Sequence, residues 1–473
     1  MCGVFGIAGH PEAKHILPTI LMSLQHRGHD AAGVAGLVDI DPNCIDTLKG
    51  AGKISSVLND KGMDKFVGDC FIAHTRYSTR NAAKSVREIH PHWAQSMLGR
   101  IVIVTNGDII NVDELLEFVQ AQNTKVYTKN DAELIAALIN IERRQNDRDM
   151  FQSIHHAMSR VKGGFAGLVM SEDENKVYAF RDPWGIRPLH LCEFNIGGKK
   201  SVAVASETCA FDIIQRYNLS KFPDVAISAE YREVQPGEIL SFDGEGKIEN
   251  AFFQTPPSEN IGCVFEAIYF ARPDSSLRGE SFQVIRERMG VELFKERQID
   301  ADLVTSVPKG GIPAAVGYAK ASGLPYSIAI LEEPSTGGLR SFITSADERQ
   351  AFARMKYSVL PDVVKGKKIV VIDDSIVRGT TAKLLVKSLF LAGAKEVHLR
   401  IPAPPYDHPC HYGIETKDPE TLISHGRSEE EVCKILGATS LHYLSLDGLY
   451  RAIGKERKLF CDECLSGKSP ITP

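Results

Sequence analysis

The sequence contains no long apolar run, since no stretch approaches the roughly 18 consecutive apolar residues that a membrane-spanning helix needs. A signal-peptide pattern is missing at its N-terminus, and so are internal repeats and low-complexity segments. Its net charge is −5, so it lacks the basic excess that a nucleic-acid-binding protein needs. We therefore expect a cytoplasmic protein that binds neither a membrane nor nucleic acid.

The length and the cysteines constrain the remaining possibilities. A chain of 473 residues exceeds what one hydrophobic core usually organises, so we expect two domains. The composition, 43% hydrophobic and 24% charged, is ordinary for a globular protein. Ten cysteines in a large chain without a secretion signal argue against structural disulfides. Metal binding or catalysis is the better hypothesis for those cysteines that cluster.

The two halves of the chain have different patterns. The first half is rich in short strand-type runs, namely CGVFGIAG, DCFIAHTRYST, GRIVIVTNGDI, GGFAGLVMS and SVAVASE. Two amphipathic helical segments interrupt them, HPEAKHILPTILMSLQHRG and NDAELIAALINIERR. A turn-rich stretch over residues 240–260 marks a boundary. Beyond it the apolar runs ADLVTSVP, PYSIAIL, KKIVVIDD and KEVHLRIP alternate with helical segments, which predicts a parallel sheet covered by helices.

The segment KKIVVIDDSIVRGTTAKLL is typical of a phosphate-binding loop. The hydroxyls of Ser375, Thr380 and Thr381, together with backbone N–H groups at a helix N-terminus, could surround a phosphate. Gly379 would let the backbone approach that phosphate closely. The acids that precede this loop suit either a sugar diol or Mg²⁺, and they are Asp373 and Asp374. The alternative is an ordinary capped turn with two solvated acids.

The N-terminus raises a second catalytic hypothesis. Removal of Met1, which a small second residue permits, would give Cys2 both a thiol and a free α-amine. A cysteine near a terminus can also be incidental. The segments AHTRYST, TNGDI and NDAEL supply Arg76, the Asn106–Gly107 pair and Asp131. Taken singly, these could be a surface arginine, a turn and a helix N-cap.

Taken together, these residues resemble the N-terminal-nucleophile glutaminases, whose terminal thiol is activated by its own α-amine. The α-amine suits this role because its unperturbed pKa is about 7.7–8.0. The resemblance implies that Cys2 is the nucleophile and that Asn106 and the Gly107 amide stabilise the oxyanion. It also implies that Arg76 binds the α-carboxylate of glutamine and Asp131 its α-ammonium.

The second half resembles the type I phosphoribosyltransferases, which use phosphoribosyl pyrophosphate (PRPP). That resemblance implies that the paired acids hold the ribose hydroxyls and Mg²⁺, and that the loop from Ser375 to Thr381, with Arg378, wraps the 5′-phosphate. SVPKGGIPAA occupies the place of the family's pyrophosphate loop. Lys309 and the backbone of Gly310 and Gly311 would then neutralise the departing pyrophosphate.

A glutaminase followed by a PRPP site resembles the glutamine phosphoribosylpyrophosphate amidotransferase family, as do RDPWGIRPL, ASETCAFD, EYREVQPGE and YFARPDS. The implied fold is α/β, an N-terminal-nucleophile αββα sandwich over 2–240 and a phosphoribosyltransferase domain over 260–450, with a tail over 451–473. The implied enzyme makes 5-phosphoribosylamine, glutamate and pyrophosphate in the first step of purine biosynthesis. The family also implies a homo-oligomer, a tetramer, and purine nucleotides as inhibitors.

Four cysteines match the iron–sulfur branch of this family, namely Cys263, Cys410, Cys461 and Cys464. Four thiolates with one close pair suit a [4Fe–4S] cluster, although the same set could bind Zn²⁺. The implied role of the cluster is structural, joining the tail to both domains.

The chain departs from the family pattern at three places. Thr105 and Asp108 flank the Asn106–Gly107 pair where the family usually has HNGN. Lys309 and Gly310 replace an Asp-Ser pair, which removes a serine that can serve the Mg²⁺ site. LEEPSTGGLRSFI replaces a more basic flexible loop, although Arg340, Phe342 and Ile343 remain.

These departures leave two rival hypotheses. One is a divergent paralogue that uses PRPP and glutamine in another pathway. The other is a non-catalytic nucleotide sensor on the same scaffold, which the complete glutaminase set argues against, because a binding module needs no terminal nucleophile. A glutaminase joined to a different synthase is disfavoured by the DDSIVRGTT loop.

Overall fold

A computed structural model of the chain describes residues 1–39, 41–77, 86–96, 99–128, 130–145, 149–254, 260–332 and 356–471. The chain divides into two compact units. Unit 1 holds Met1–Gly262 with His411–Ile414, and unit 2 holds Cys263–Cys410 with Glu415–Pro473. Among the described residues, no helix combines the length and apolarity needed to cross a membrane.

Unit 1 is built on two sheets. Its described strands are β1 (Gly3–Ala8), β2 (Ala31–Val38), β3 (Asp41–Ala51), β4 (Phe66–Arg76), β5 (His92–Ser96), β6 (Gly99–Ile109), β7 (Gly163–Ser171), β8 (Glu174–Arg181), β9 (His190–Ile196), β10 (Lys199–Ala205), β11 (Ile227–Glu233), β12 (Glu238–Asp243) and β13 (Ile248–Phe252). Sheet A has the strand order β11-β9-β10-β1-β4-β2-β3, and sheet B has the order β13-β12-β8-β7-β6-β5. The paired strands run antiparallel in both sheets.

Helices cover the outer faces of both sheets. The described helices of unit 1 are α1 (Ala13–Ser23), α2 (Ile54–Val57), α3 (Asp60–Met63), α4 (Val112–Ala121), α5 (Asp131–Gln145), α6 (Met150–Met158) and α7 (Cys209–Lys221). One buried cluster joins α1 and α7 to sheet A, a second joins α4, α5 and α6 to sheet B, and a third lies between the sheets. The predicted αββα sandwich is confirmed.

Strand β6 shows why this sequence forms the two inner layers. Ile101 and Ile103 pack with the helices on sheet B, whereas Val102 and Val104 pack between the sheets. Because successive side chains of a strand point to opposite faces, an unbroken apolar run is what a strand buried on both faces needs. The predicted strand GRIVIVTNGDI coincides with β6, and its polar end, from Thr105 onward, reaches the candidate site.

Unit 2 contains shorter elements. The remaining described strands are β14 (Gly262–Cys263), β15 (Ser276–Leu277), β16 (Glu280–Ser281), β17 (Leu303–Ser306), β18 (Ile330–Glu332), β19 (Tyr357–Val359), β20 (Lys368–Ile372), β21 (Glu396–Ile401), β22 (Ser440–Tyr443) and β23 (Phe460–Cys461). The described helices are α8 (Phe282–Glu296), α9 (Ile312–Ser322), α10 (Pro361–Val364), α11 (Thr380–Leu391), α12 (Glu429–Leu436), α13 (Leu446–Ile453) and α14 (Glu463–Ser466), with a π-helix over Glu266–Phe270.

The core of unit 2 is a parallel sheet in the order β17-β20-β21-β22. This agrees with the predicted phosphoribosyltransferase architecture, with one difference. The run PYSIAIL was expected to be a strand of this sheet, but it contributes only a bridge from Tyr326 to Val304. Its end forms β18, which pairs with β19 instead. The fourth strand of the sheet is β22, whose alternating polar residues Ser440 and His442 hid it from the apolar pattern.

Candidate active sites

Cys2 lies directly against Asn106. The backbone N–H of Cys2 donates to Oδ1 of Asn106 at 3.1 Å. The carbonyl oxygen of Cys2 accepts from Nε of Arg27 at 3.0 Å, and the buried Arg27 pairs in turn with the buried Glu207. Nδ2 of Asn106 is buried and has no hydrogen-bond partner within the described residues. A buried donor of this kind is rare in folded proteins and is suited to a ligand that arrives later.

Arg76 ends the strand next to that of Cys2. Gly3 pairs with Thr75 across β1 and β4, so Cys2 and Arg76 leave the same end of two neighbouring strands. The Arg76 side chain is 11% exposed and its Nη2 lies 4.0 Å from Glu88. Its Nη1 is buried and, among the residues the structure describes, has no hydrogen-bond partner. A half-satisfied guanidinium is the group expected to bind a carboxylate.

Asp131 lies at the start of α5 and is tied to the same strand as Gly107. Its Oδ2 accepts from the N–H of Ile109 at 2.9 Å. The N-cap function belongs to the preceding residue, since Oδ1 of Asn130 accepts from the N–H of Ala132 at 2.9 Å. Asp131 therefore has a structural role in fixing the end of β6 that its sequence position did not reveal.

The strand pairing around Gly107 determines the direction in which its backbone N–H points. Gly107 pairs with Phe165 of β7. Both backbone groups of Phe165 are engaged by Asp182, because its carbonyl accepts from the Asp182 N–H at 2.8 Å and its N–H donates to Asp182 Oδ2 at 3.2 Å. Residues of an antiparallel pair alternate between bonding each other and bonding outward. The Gly107 amide is therefore oriented away from β7, as an oxyanion donor must be.

Asp182 organises this region and was not predicted as a functional residue. Besides Phe165, its carboxylate accepts from the backbone N–H groups of Trp184, Ile186 and Arg187, at 3.1, 3.0 and 3.1 Å. Burial raises its pKa, and the neighbouring arginine and these N–H groups act in the opposite direction. The stretch RDPWGIRPL was recognised only as a family match, and Asp182 gives it a physical role.

A group of buried histidines next to Arg76 was also missed. The rings of His74 and His90 stack with centroids 4.1 Å apart, and those of His90 and His92 meet edge-on at 4.8 Å. Burial lowers the pKa of His74 and of His92 to about 3, with smaller contributions from Arg76 and Lys49, and lowers that of His90 well below its usual value. All three are therefore neutral near pH 7.

Lys49 adds a second cation beside Arg76. Its ammonium donates to the carbonyl oxygens of Ile89 and Pro91 at 2.6 and 2.8 Å. Burial lowers the pKa of Lys49 to about 8, and the positive charge of Arg76 contributes further. With the histidines neutral, Lys49 and Arg76 supply the positive charge of this region, and Glu88 lies 4.0 Å from Arg76. Nothing in the local sequence pattern indicates this, because the groups come from separate strands.

In unit 2, the loop that follows β20 has the shape expected of a phosphate site. Gly379 has φ +74°, and a side chain there would begin 2.3 Å from Cδ1 of Ile423. The positive φ favours glycine at this position, which directly precedes α11. Ser375 donates to Asp374 Oδ1 at 2.8 Å. The remaining predicted loop residues lie partly or fully exposed around the helix start, namely Arg378, Thr380 and Thr381.

The predicted pyrophosphate loop meets the paired acids. A side chain at Gly310 would begin 1.7 Å from Oδ2 of Asp374, and one at Gly311 would begin 2.4 Å from the carbonyl oxygen of Ile372. Lys309 has φ +69°, a conformation that costs a non-glycine residue energy. Its ammonium lies 2.6 Å from Oε2 of Glu332. The structure thus brings together two loops that are more than 60 residues apart in sequence.

The paired acids have raised pKa values. Burial raises the pKa of Asp374 to about 6 and that of Asp373 well above its usual value, and the charge of Asp374 also raises the pKa of Asp373. Arg286 and Lys356 act in the opposite direction on Asp374. Burying two neighbouring carboxylates disfavours their charged forms, and a bound cation or a set of hydroxyl donors would offset this effect.

The four cysteines of the predicted cluster are neighbours within unit 2. All four thiols are buried. Burial raises the pKa of Cys464 well above its usual value, and Cys410, Cys263 and Cys461 raise it further. The strand ending in Cys263 pairs with the strand ending in Cys461. The carbonyl oxygen of Cys464 accepts from the N–H groups of Asp407 and His408, both at 3.1 Å, which anchors the segment leading to Cys410.

No group of three or more histidine, cysteine, aspartate or glutamate side chains in the described ranges is arranged to hold a single metal ion. This does not conflict with a Mg²⁺ site, because Mg²⁺ is usually bound by one or two carboxylates together with waters and substrate phosphates. The loop residues Arg340, Phe342 and Ile343 lie outside the described residues.

The folds and these arrangements define the class. Unit 1 has the sandwich of N-terminal-nucleophile glutamine amidotransferases, and unit 2 has the parallel sheet and loops of a phosphoribosyltransferase. Residues 74–212 match the family model described as a glutamine amidotransferase domain.

Relatives match along the whole chain. An amidophosphoribosyltransferase of Bacillus subtilis is 38% identical over 478 residues, covering 99% of this chain and 94% of its own. Amidophosphoribosyltransferase 1, chloroplastic, of Arabidopsis thaliana is 37% identical, covering 100% of this chain and 79% of its own. A solved structure of the B. subtilis PRPP amidotransferase complexed with ADP and GMP has a TM-score of 0.85 at 37% identity, covering 99% of this chain and 97% of its own. The chain belongs to the amidophosphoribosyltransferase family and is a glutamine-dependent pentosyltransferase.

Proposed function

We propose that the chain hydrolyses glutamine at Cys2 and uses the ammonia to displace pyrophosphate from PRPP, giving 5-phosphoribosylamine in the first step of purine biosynthesis. The observation that carries this proposal is the contact between Cys2 and Asn106, which sets a buried amide donor beside the proposed nucleophile.

Glutamine hydrolysis needs a nucleophile, a base and an oxyanion site. With Met1 removed, the Cys2 nitrogen that donates to Asn106 Oδ1 becomes an α-amine, which takes the thiol proton. The thiolate attacks the side-chain amide carbon of glutamine. Nδ2 of Asn106 and the Gly107 N–H then stabilise the oxyanion, and a single donor of this kind is worth roughly 10²–10³-fold in kcat. The protonated α-amine then gives its proton to the leaving nitrogen, the C–N bond breaks to release ammonia, and water hydrolyses the resulting thioester to glutamate.

Glutamine is recognised by its amino-acid end. Arg76 has an unsatisfied buried Nη1 among the described residues, and Lys49 adds positive charge nearby, so an α-carboxylate fits there. Asp131, whose Oδ2 accepts from the N–H of Ile109, supplies the negative charge for the α-ammonium. The contact of Arg76 with the α-carboxylate and that of Asp131 with the α-ammonium are both charge-assisted hydrogen bonds. Together they favour a zwitterionic amino acid.

PRPP is bound by the loops of unit 2. Asp373 and Asp374 would accept from the ribose hydroxyls and would hold Mg²⁺, which would supply charge neutralisation for the pyrophosphate. Gly379 and the hydroxyls of Ser375, Thr380 and Thr381 surround the 5′-phosphate at the start of α11. Lys309, with the backbone of Gly310 and Gly311, binds the pyrophosphate as it departs.

The four buried thiols of Cys263, Cys410, Cys461 and Cys464 would hold a [4Fe–4S] cluster, whose contribution is structural. The four thiols are close enough to raise one another's pKa, and this proximity supports a shared site.

Purine nucleotides would inhibit the enzyme, and the chain would form a homotetramer. The support for nucleotide binding is the related B. subtilis structure, which is complexed with ADP and GMP. Tetramer formation follows from family resemblance only.

Cys2→Ala tests the proposal. We expect it to abolish glutamine-dependent synthesis but to retain synthesis from high external ammonium at alkaline pH, because only free NH₃ is nucleophilic. Glutamate release and phosphoribosylamine capture are measured in parallel, with the part-exposed thiol of unit 1 removed in Cys44→Ala as the matched control. Glutamate release that survives in Cys2→Ala would refute the nucleophile. PRPP-stimulated glutamate release without phosphoribosylamine in the unaltered protein would indicate the divergent paralogue.

A further inference from the structure

The segment His411–Ile414 belongs to unit 1, although the residues on both sides of it belong to unit 2. Gly413 lies within this segment with φ +113°. A side chain at Gly413 would begin 3.3 Å from the Cα atom of Gly107 and 3.4 Å from Cζ of Arg187. This short piece of chain therefore packs directly on the glycine whose amide is proposed to bind the oxyanion.

The opposite side of Gly107 is closed by β7. Gly107 has φ +140°, and a side chain there would begin 2.0 Å from the carbonyl oxygen of Gly164. The segment also contacts β7 itself, since Cβ of the buried Tyr412 lies 3.1 Å from where a Gly164 side chain would begin. Gly107 is thus enclosed between a strand and the 411–414 segment.

Arg187 and Asp182 stabilise the region around Gly107 and Gly413. Arg187, which contacts Gly413, has its N–H bonded to Asp182, and Asp182 also engages Phe165, the strand partner of Gly107. One carboxylate therefore fixes both the strand on one side of Gly107 and the loop that meets Gly413 on the other. A peptide bounded on two sides has little freedom to rotate its N–H.

We infer that Gly413 is a positioning residue for glutamine hydrolysis: it sets the orientation of the Gly107 amide by filling the space against its Cα atom. This inference rests on the proposed oxyanion role of Gly107. Gly413 itself touches no reacting atom. Gly413 contributes by holding the Gly107 amide in place, because an oxyanion donor acts fully only when it is preorganised within a few tenths of an ångström.

Gly413→Ala tests the inference. The new methyl group pushes against Gly107, and we expect kcat for glutamine hydrolysis to fall roughly 10–100-fold, because one oxyanion donor is worth roughly 10²–10³-fold. The KM for glutamine should change less than about twofold, since Arg76 and Asp131 are untouched. Ammonium-driven synthesis should be retained. Alkylation of Cys2 by iodoacetamide should keep its rate, because attack at a saturated carbon forms no oxyanion.

Gly52→Ala is the matched control. Gly52 also has φ +113° and lies in unit 1, but no described atom lies within 4 Å of where its side chain would begin. It carries the same backbone penalty without the contact, so its kcat should stay within about twofold of the unaltered protein. Equal losses in both variants would show that backbone strain, not the contact with Gly107, is responsible, and would overturn the inference.

Two further variants keep the result decisive. Tyr412→Leu loosens the segment instead of crowding it, so it tests the inference even if Gly413→Ala does not fold. It should lower kcat for glutamine hydrolysis and leave the KM unchanged. If both variants fold and neither changes kcat, the inference is overturned. Asn106→Ala reports on the oxyanion site itself. If Asn106→Ala loses glutamine hydrolysis while Gly413→Ala keeps it, only the role of Gly413 fails. If Asn106→Ala keeps glutamine hydrolysis, the proposed oxyanion site fails.

Discussion

The ammonium of Lys309 lies 2.6 Å from the carboxylate of Glu332. The first residue replaces an acidic position of the family's pyrophosphate loop, and the second lies at the start of a segment that is usually more basic. Two of the departures seen in the sequence therefore meet in an ion pair. Glu332 thus forms an ion pair with the ammonium that is proposed to bind pyrophosphate.

Glu332→Gln should improve PRPP binding. The Lys309 side chain is 82% exposed, so the pair is worth at most about 1 kcal/mol, and its loss should lower the KM for PRPP by no more than about fivefold. Lys309→Met should raise that KM instead. Initial rates against PRPP concentration measure both. Glu287→Gln breaks a similar exposed pair with Lys320, 2.8 Å long, and should leave the KM unchanged. An unchanged KM in Lys309→Met would remove this lysine from the pyrophosphate site.

Asp374→Asn should separate activity from stability. We expect PRPP-dependent turnover to fall at least about tenfold, equivalent to 1.4 kcal/mol of transition-state stabilisation, with glutamine hydrolysis in the absence of PRPP little changed. The pKa of Asp374 is raised to about 6, so its favourable contribution is present below its unfolded pKa and is lost as the pH rises through 6. The substrate-free variant should therefore melt higher than the unaltered protein at pH 7.5.

Asp362→Asn, an exposed acid on α10, provides the comparison and should change neither quantity. Normal phosphoribosylamine synthesis by the double variant Asp373→Asn/Asp374→Asn would mean that the diol and the metal are held elsewhere.

Anaerobically purified protein should be brown, with about four irons and four sulfides per chain and a broad absorbance near 400 nm, as this type of cluster shows. Cys464→Ser should remove the colour and much of the soluble yield, because it leaves a buried ligand set incomplete. Cys433→Ser alters a part-buried thiol of the same unit and should keep both. Colourless, active protein with stoichiometric zinc would contradict the cluster.

The buried histidines should make unit 1 sensitive to acid. The pKa values of His74 and His92 are lowered to about 3 and that of His90 is lowered well below its usual value, so these groups stay neutral in the folded chain but gain protons in the unfolded chain below about pH 6.5. Stability is thus fully present above that pH and falls as the pH decreases, by up to roughly 1.4 kcal/mol per pH unit for each histidine.

His92→Gln should reduce this slope, as measured by urea unfolding between pH 7.5 and 5. His15→Gln, on the exposed face of α1, should leave the slope unchanged. An unaltered slope in His92→Gln would show that other groups govern acid unfolding.

The sequence predicted those features that depend on local pattern. β6 follows from an apolar run that ends in polar residues, and the loop after β20 follows from two acids, a glycine and hydroxyls before a helix. Features that depend on contacts between distant segments could not be predicted. The charge of Arg76 affects Lys49 from another strand, and Asp182 gains its role only when β7 and the loop after β8 meet.

One departure from the family pattern could be interpreted only with the structure. A side chain at position 310, such as the serine usual in the family, would begin 1.7 Å from Asp374 Oδ2. Gly310 is therefore a consequence of how closely the two loops approach in this chain. In the sequence, the change appears as the loss of the serine hydroxyl. In the structure, the missing side chain at position 310 leaves space for the carboxylate of Asp374.

The position of the 411–414 segment also affects how the protein is made. Unit 1 is continuous as far as Gly262, but its last four residues follow about 150 residues later in the chain. A ribosome that adds roughly 5–20 residues per second would deliver them roughly 7–30 s after the rest of the unit. During that interval the sandwich can form while the surface around Gly107 stays open. The segment that packs against Gly107 is therefore added to unit 1 only after most of unit 2 has been synthesised.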